Sequence, residues 1–370
     1  MTHVQPTYDA VIVGARVSGA TLAALLGDAG CRVLLVDRAS FPSPTSSTHF
    51  FRGSMALGVF DRLGVLNEIM ALGAPPLVRE YSYAGGSAEP VSGPPQSPGA
   101  IGHNLSVRRE PLDHLLVRRA QAARGVTLLE RSRFRAVTRE GDRVTGASFD
   151  TPHGELTVRA RMVVGADGRH SAVAQAVAAP EVSSERGARG IYYTYVRGFP
   201  APGGGEPDGP EFSLLEDEVA YVFPSDGGVA CIAASLNRAD FASLRGVTIG
   251  GFHQRLARHA GLTERLRASS AVTGMLGCGP ELNFVRQPVG VGWALVGDAG
   301  LHQDPWTGRG IDLATTQAAA LADALLAWFK GDLGEEEALE RYRAHRDEVG
   351  LPLYKQTVEL ARDLRQVTGG

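Results

Sequence analysis

Three carboxylates occupy positions where chemistry on a bound molecule is expected. Asp37, Asp167 and Asp298 each follow a short apolar run, and a glycine adjoins the second and the third. Carboxylate oxygens accept hydrogen bonds from hydroxyl and N–H groups. The carboxyl ends of strands border the ligand crevice of an open α/β sheet, so we expect the three acids to face one ligand. Taken alone, each Asp/Gly pair is better interpreted as a simple turn.

A glycine turn precedes the first of these acids. Gly14 and Gly19 are separated by four residues, and Asp37 lies 23 positions after Gly14. Between a strand and a helix, this spacing is typical of a dinucleotide-binding turn, which presents a helix N-terminus to a pyrophosphate. Arg16 replaces the middle glycine of the G-x-G-x-x-G pattern. Its side chain therefore either points away from the phosphates or pairs with them. A glycine turn of purely structural purpose is the alternative.

The elements around this turn are predicted to form a βαβ unit. Residues 8–13 and 31–36 are apolar runs, and residues 20–26 between them are rich in Ala and Leu. This order predicts a strand, a helix and a second strand. Other predicted elements are a helix at 54–70, a hairpin or loop at 75–102, a helix from 109, strands at 126–158, and a buried strand entering a turn at 162–168.

The middle of the chain has a different pattern. Four strand-like segments lie between residues 191 and 236 without an intervening helix, which predicts an antiparallel sheet. A helical segment at 252–267, a strand at 293–298 and a long helix at 311–329 follow. We expect an α/β fold with a discontinuous Rossmann-like domain (1–75, 101–182 and 280–330) and C-terminal helices (331–370). A β-rich substrate domain (76–100 and 183–279) would be inserted into it.

Composition excludes several functional classes. The 37 basic and 40 acidic residues leave a formal net charge of −3, so neither nucleic acid nor an anionic membrane is an expected partner. The three cysteines are far apart and lack metal-ligand spacing, which argues against a disulfide framework and a metal site. No segment has the pattern of a signal peptide or a transmembrane helix. A cytoplasmic location is therefore expected.

Three segments together resemble those of a known family. They are residues 13–19 with Asp37-Arg38, residues 165–171, and residues 297–310. The combination resembles the FAD-dependent monooxygenases related to p-hydroxybenzoate hydroxylase and the neighbouring geranylgeranyl-reductase-like flavoproteins. The resemblance extends from residue 8 to about residue 330 and implies a Rossmann-like FAD-binding domain with an inserted antiparallel β-sheet substrate domain.

The resemblance implies that the first turn holds the FAD pyrophosphate at a helix N-terminus, and that the acid after the second strand accepts hydrogen bonds from the adenosine ribose. The residues matched to this half of the cofactor are Gly14, Arg16, Ser18, Gly19, Asp37 and Arg38.

The other matched residues would bind the flavin half. Arg109 corresponds to an arginine at the diphosphate and ribityl region, Asp298 would bind the ribityl hydroxyls, and Asp167 would support FAD and the place where NADPH docks. Main-chain amides of a later turn would stabilise negative charge at the flavin N1 and O2 edge. That turn comprises Gly308, Arg309, Gly310 and Ile311.

Some positions depart from the family pattern. Many relatives have Gly-Asp-Ala-Ala-His, whereas here Leu301 and His302 follow Gly300, so no role is assigned to His302. His49 lies where relatives approach the flavin, and Arg52 is an alternative for the same position.

The activity that the resemblance implies is hydroxylation or epoxidation of an aromatic or polyketide-like small molecule, as a step of secondary metabolism. NADPH or NADH would supply electrons, and O2 would react through a flavin C4a-hydroperoxide. Since the flavin carries the oxygen chemistry, no catalytic side chain is named. Aromatic residues of the inserted sheet, among them Tyr193 and Tyr195 on one face, would cover the pocket or else form sheet core.

Other activities stay open. One is an FAD-dependent reductase of prenyl double bonds, and another is a redox-neutral flavoprotein. A separate flavin reductase is an alternative source of electrons. A flavin-dependent halogenase is set aside because Lys330 and Lys355, the two lysines, lie far along the chain and no Trp-x-Trp-x-Ile-Pro segment is present. The oligomeric state is not indicated.

Overall fold

The computed structural model describes residues 7–47 and 49–367, and one of its two eight-stranded sheets has a parallel centre. The five parallel strands are, in spatial order, Trp293–Leu295, Gly154–Gly165, Thr7–Val13, Val33–Val36 and Val126–Leu129. Val289–Gly290 pairs antiparallel at one edge, and the hairpin Arg133–Glu140 with Arg143–Thr151 extends Gly154–Gly165. These strands are apolar because both faces of the sheet are covered.

Helices cover one face of this sheet, and the hairpin covers part of the other. Ala10, Ile12 and Leu35 are fully buried in one core cluster, whereas Val11 and Leu34 belong to a second cluster with the hairpin. This alternation follows from the two-residue period of a strand. The helices packed in the first cluster include Val17–Asp28, Arg109–Ala122 and Gly310–Lys330.

The carboxyl ends of four parallel strands lie in register. Val36, Val13, Gly165 and Leu295 form one row of Cα partners across the sheet. The chain leaves the sheet after each of these residues, so the turns that carry the predicted glycines and carboxylates meet at a single edge of the sheet.

The second eight-stranded sheet contains the four strands expected in the middle of the chain. Arg189–Arg197, Val229–Asn237, Glu218–Ser225 and Glu211–Leu215 are neighbours in that order and pair antiparallel. The segments that extend it are Glu80–Tyr83, Val91–Gly93, Ser270–Ala271 and Leu276–Cys278. One face packs against helices Arg238–Ser243, Ile249–Leu256 and Ala260–Ala268. The α/β fold with an additional antiparallel sheet is confirmed.

Several predicted elements differ in detail. The helix expected at 54–70 is a π-helical turn Gly53–Leu57 and helices Gly58–Arg62 and Leu66–Met70, separated at Gly64, whose φ is +71°. The single helical segment expected at 252–267 is likewise two helices. Conversely, Glu335–Arg362 is one helix that continues through Pro352.

The remaining short elements connect these layers. The strands are Phe50–Phe51, Leu105–Ser106, Glu181–Arg186, Leu282–Arg286 and Leu301–His302, and the helix is Ala172–Ala176. The 3₁₀ turns are Gly99–Ile101, Asp226–Gly228, Gly297–Ala299, Pro305–Thr307 and Leu364–Val367. Among the described residues, no helix combines the length and hydropathy needed to cross a membrane, and no three His, Cys, Asp or Glu side chains are grouped as metal ligands would be.

Candidate functional site

The first glycine turn brings strand and helix into close approach. Gly14 has a φ of +102°, and a Cβ atom at this position would lie 2.3 Å from the carbonyl oxygen of Ala166. A Cβ on Gly19 would lie 1.8 Å from the carbonyl oxygen of Gly14. Both positions therefore require glycine. The turn directs the unpaired first amides of helix Val17–Asp28 to the carboxyl edge of the sheet, where they can bind an anion.

Arg16 and Arg109 share one buried carboxylate beside this turn. Arg16 Nη1 lies 2.7 Å from Asp113 Oδ2, and Arg109 Nε lies 3.0 Å from Asp113 Oδ1. Asp113 is fully buried, while both arginines border the central cavity. Arg16 Nη2 also donates to Ser43 Oγ at 3.1 Å. Two guanidinium groups and one carboxylate leave a net positive charge at this wall.

Asp37 is fixed by backbone amides. Its Oδ2 accepts from the N–H of Ala15 at 2.8 Å, and its Oδ1 accepts from the N–H of Ala39 at 2.8 Å. The carboxylate is half-buried, and both Asp37 and the exposed Arg38 border the cavity. This acid therefore has a fixed orientation with free acceptor capacity.

Asp167 binds its own chain. Its Oδ1 accepts from Ser171 Oγ at 2.5 Å, and its Oδ2 accepts from the N–H groups of Ala172 and Val173 at 2.7 and 3.2 Å. Burial raises the pKa of this carboxyl, and these hydrogen bonds oppose the rise. Asp167 borders the cavity and binds the first two amides of the helix Ala172–Ala176, whose N-cap residue is Ser171.

Asp298 lies in the turn Gly297–Ala299. Gly297 has a φ of +63°, and its N–H donates to Gln317 Oε1 at 2.9 Å. Asp298 Oδ2 lies 3.2 Å from His302 Nδ1. Desolvation favours a higher pKa for Asp298, but His302, Arg109 and, more weakly, Arg169 together lower it. Asp298 is therefore an ionised acceptor at the cavity wall.

Asp304 and the N-terminus of the helix Gly310–Lys330 complete the wall of the cavity. Asp304 Oδ1 accepts from the N–H of Trp306 at 3.2 Å, and Asp304 Oδ2 accepts from the N–H of Arg189 at 3.1 Å. Burial raises the pKa of Asp304 to about 6. Gly308 then adopts a φ of +64° and leads into helix Gly310–Lys330, whose first amides have no intrahelical acceptor.

These corners enclose one cavity of about 850 Å³, which is within the usual range for small-molecule sites. Most of the predicted site residues border it, whereas Gly19 and Arg309 do not. The predicted residues on the wall are Gly14, Arg16, Ser18, Asp37, Arg38, Arg109, Asp167, Asp298, Gly308, Gly310 and Ile311. Their convergence meets the geometric requirement for one dinucleotide, since two helix N-termini and three carboxylates face the same space.

The three unassigned residues have different surroundings. His49 borders the cavity, has a φ of +67° and hydrogen-bonds through Nε2 to Tyr195 Oη. Burial, with Arg109 and Arg108, holds the pKa of His49 well below its usual range. Arg52 instead pairs with buried Asp312 at 3.0 Å, and His302 borders the cavity beside Asp298. The neighbouring Thr48 lies outside the described residues.

The aromatic residues of the second sheet divide between its two faces. Tyr193, Tyr195, Tyr221 and Phe223 share a cluster with Phe50, and Tyr193 and Phe50 border the cavity. Tyr192 and Phe199 instead face the helices.

Two residues of the cavity wall, Asp304 and Gln303, were not predicted from the sequence. The side-chain amide oxygen and nitrogen of Gln303 are both buried, and neither has a hydrogen-bond partner among the described residues.

Comparison with known proteins supports this interpretation. Residues 7–194 match the family described as FAD binding domain. Digeranylgeranylglycerophospholipid reductase 1 of Methanopyrus kandleri is 25% identical over 97% of this chain and 90% of its own length. Ubiquinone hydroxylase UbiL of Rhodospirillum rubrum is 25% identical over 96% of this chain and 81% of its own.

A solved structure extends the comparison. PqsL, a probable FAD-dependent monooxygenase from Pseudomonas aeruginosa, superimposes with a TM-score of 0.81 at 25% identity, covering 96% of both chains. The family match covers half of the chain. The chain therefore belongs to the FAD binding domain family and is an FAD-dependent oxidoreductase of the monooxygenase group related to p-hydroxybenzoate hydroxylase.

Proposed function

We propose that the protein is an NAD(P)H-driven monooxygenase that hydroxylates or epoxidises an aromatic or polyketide-like small molecule, as in secondary metabolism. The observation that carries the proposal is the position of the cavity. Its walls run from the polar corners at Asp37 and Asp298 to the aromatic face at Phe50 and Tyr193. A flavin and an apolar substrate need adjoining polar and aromatic surroundings of this kind.

The chain offers a group for each part of FAD. Gly14 and the helix that starts at Val17 would hold the diphosphate together with Arg16 and Arg109, and Asp37 would hold the adenosine ribose. Asp298 would accept from the ribityl hydroxyls, and the amides of Gly310 and Ile311 would face the N1 and O2 edge of the ring. In this assignment Gly19 and Arg309 shape the turns without touching the cofactor.

The protein contributes binding, orientation and exclusion of water. The chemistry that FAD supplies when bound is hydride uptake from NADPH or NADH and activation of O2. The helix N-terminus at Gly310 stabilises negative charge at the adjacent edge of the site. The buried aromatic cluster keeps water from the substrate, which limits wasteful loss of reducing equivalents. In the balanced reaction, one oxygen atom of O2 enters the substrate and the other leaves as water.

We assign a different role to the part of the chain that contains each sheet. Residues 1–75, 101–182 and 280–330 would bind FAD, residues 76–100 and 183–279 would contact substrate, and the helical remainder would support both. A separate flavin reductase is the alternative electron source. A cytoplasmic location, which the sequence pattern favours, is part of the same proposal.

The direct test is oxygen incorporation. Purified protein reconstituted with FAD is mixed with NADPH or NADH, an aromatic substrate panel and ¹⁸O2. We expect faster NAD(P)H oxidation with at least one compound and one ¹⁸O atom in its product. Protein that holds FAD but never incorporates oxygen, with pyridine nucleotide or with a partner reductase, would contradict the proposal.

Reduction of isoprenoid double bonds is the second candidate. It is favoured by the match to the Methanopyrus kandleri reductase over nearly the whole chain. A reductase would consume reduced flavin and saturate a prenyl chain under anaerobic conditions, whereas a monooxygenase would leave substrate unchanged without O2. Flavin that neither nucleotide nor a partner reductase bleaches would instead indicate a redox-neutral protein.

A further inference from the structure

One polar side chain of the cavity wall, Gln303, has no hydrogen-bond partner at either end among the described residues. Gln303 is 7% exposed, and both its amide oxygen and its amide nitrogen are buried. His49, another buried residue of the wall, is instead bonded through Nε2 to Tyr195. A buried polar group without a partner costs free energy, so the Gln303 amide requires an explanation.

A second buried glutamine illustrates the alternative, an amide with a structural role. Gln317, on the helix Gly310–Lys330, is 3% exposed, and its Oε1 accepts from the N–H of Gly297 at 2.9 Å. Removal of the Gln317 amide would leave this buried N–H without its acceptor. Removal of the Gln303 amide would break no hydrogen bond to a described residue.

The backbone on both sides of Gln303 is held in place. The preceding strand Leu301–His302 pairs antiparallel with Leu282–Arg286. The following carboxylate, Asp304, accepts hydrogen bonds from two backbone N–H groups at 3.2 and 3.1 Å. The amide therefore projects from a fixed point at the cavity wall, which reduces the entropy lost when it binds a ligand.

Gln303 lies where the cofactor region meets the second sheet. Asp304, its neighbour, accepts from the N–H of Arg189, the first residue of the strand Arg189–Arg197. Ile191, two residues further along that strand, also borders the cavity. In the other direction, Gln303 is five positions after Asp298, the carboxylate assigned to the ribityl chain. A molecule that contacts the Gln303 amide would therefore lie beside the cofactor.

The assignment of FAD leaves the Gln303 amide unused. The diphosphate, the ribityl chain and the N1 and O2 edge of the flavin are assigned to other groups on the wall, namely Arg16, Arg109, Asp298, Gly310 and Ile311. The amide is uncharged and keeps its full capacity to donate and to accept. It is therefore available to a second molecule in the same cavity.

The chemistry of the amide defines the ligand that suits it. A primary amide presents an acceptor oxygen beside a donor nitrogen. A lactam satisfies both atoms at once, because its N–H donates to Oε1 and its carbonyl oxygen accepts from Nε2. A hydrocarbon ring would leave both atoms unpaired, and a carboxylate would offer no donor to Oε1.

We propose that Gln303 is a specificity-determining residue that binds the substrate by a lactam-type edge, an N–H group beside a carbonyl, through two parallel hydrogen bonds. This inference rests on the proposed monooxygenase function, because it names the substrate class of that reaction.

Two small ligands test this substrate class on the wild type. FAD-loaded protein is titrated with oxindole, a planar lactam, and with N-methyloxindole, which lacks the N–H, and the change in flavin absorbance is followed. We expect oxindole to bind about tenfold or more tightly, because the methylated form leaves Oε1 of Gln303 unpaired. Equal affinities, or no response to either ligand, would overturn the proposal. This comparison needs no variant, so it holds even where a substitution impairs folding.

The variant Gln303→Leu removes both hydrogen-bonding atoms and keeps a side chain of similar size. Its affinities for the two ligands should lie within about twofold of each other, and its affinity for FAD should change by no more than about twofold. A preference for oxindole that persists in the variant would show that the methyl group is rejected on size and would refute the role of Gln303. Weaker binding of FAD with unchanged binding of oxindole would assign the amide to the cofactor and would also overturn the proposal.

Thermal unfolding of the full chain without FAD separates recognition from a structural role. Gln303→Leu should leave Tm unchanged or raise it, because no hydrogen bond to a described residue is lost. Gln317→Leu is the control and should lower Tm by about 2 °C or more, since the N–H of Gly297 loses its acceptor. An equal decrease in both variants would show that the Gln303 amide is structural. None of these measurements depends on oxygen incorporation, so failure of the proposed reaction alone would leave them unaltered.

Discussion

Removal of the Arg52 charge should destabilise the start of the helix that borders the cavity. Arg52 Nη1 lies 3.0 Å from Asp312 Oδ2, and the Arg52 N–H donates to Oδ1 at 2.9 Å. The two side chains are 8% and 0% exposed. Arg52→Met therefore leaves the carboxylate buried with one backbone donor in place of two hydrogen bonds.

The expected cost follows from the geometry. Breaking one side of a buried ion pair costs about 3–5 kcal/mol, and the retained backbone bond places this case near the lower value. Burial raises the pKa of Asp312, and Arg52 opposes that rise. Without Arg52, the pKa of Asp312 in the folded protein rises further above the ordinary value of 3.8. The folded form then binds more protons than the unfolded form, so stability falls as pH increases and the penalty shrinks in acid.

Urea unfolding measures both effects. We expect Arg52→Met to lose about 3 kcal/mol near pH 7 and clearly less near pH 5. The double variant Arg52→Met with Asp312→Asn should recover about 2 kcal/mol near pH 7, because the buried charge is gone. A loss below about 1 kcal/mol, or a loss that is equal at both pH values, would refute this reasoning.

Three further predictions concern the cavity wall. Burial raises the pKa of Asp304 from 3.8 to about 6. The free energy of unfolding of the wild type should therefore decrease between about pH 4 and pH 7, by up to about 3 kcal/mol more than that of Asp304→Asn. A difference between the two proteins that does not change with pH in urea unfolding would contradict this. Arg109→Met should weaken FAD binding by about tenfold or more in a fluorescence titration. Arg119→Met is the control and should leave the affinity unchanged, because Arg119 pairs with the exposed Asp28. Equal affinities of the two variants for FAD would argue against the assignment of Arg109 to the diphosphate. Gly14→Ala should lower both Tm and bound FAD, because its Cβ would collide with a backbone oxygen at 2.3 Å; normal flavin content would show that the turn is more tolerant.

Local sequence predicts the strand ends well. The apolar runs before Asp37, Asp167 and Asp298 are short, and each ends where a polar residue must leave a buried sheet. Alternation also predicts that Tyr193 and Tyr195 share a face, which the structure confirms. These features depend on neighbours along the chain, so spacing is sufficient to find them.

Partners that are distant in sequence were not predictable. Arg16 meets Asp113 across 97 residues, and Arg52 meets Asp312 across 260. Arginine is abundant in this chain, and neither spacing nor composition indicates which carboxylate each guanidinium will bind. The position of Leu364 in the aromatic cluster likewise depends on the complete path of the last helix. Helix continuity across Pro352 shows that tertiary packing overrides a local breaker.

One visible absorption spectrum tests the central claim most directly. Purified protein reconstituted with FAD should show flavin absorbance that remains with the protein after gel filtration. Anaerobic addition of NADPH or NADH, or of a reductase that supplies electrons, should bleach that absorbance. Protein that retains no flavin under these conditions would contradict the proposal that the glycine and carboxylate corners form one FAD site.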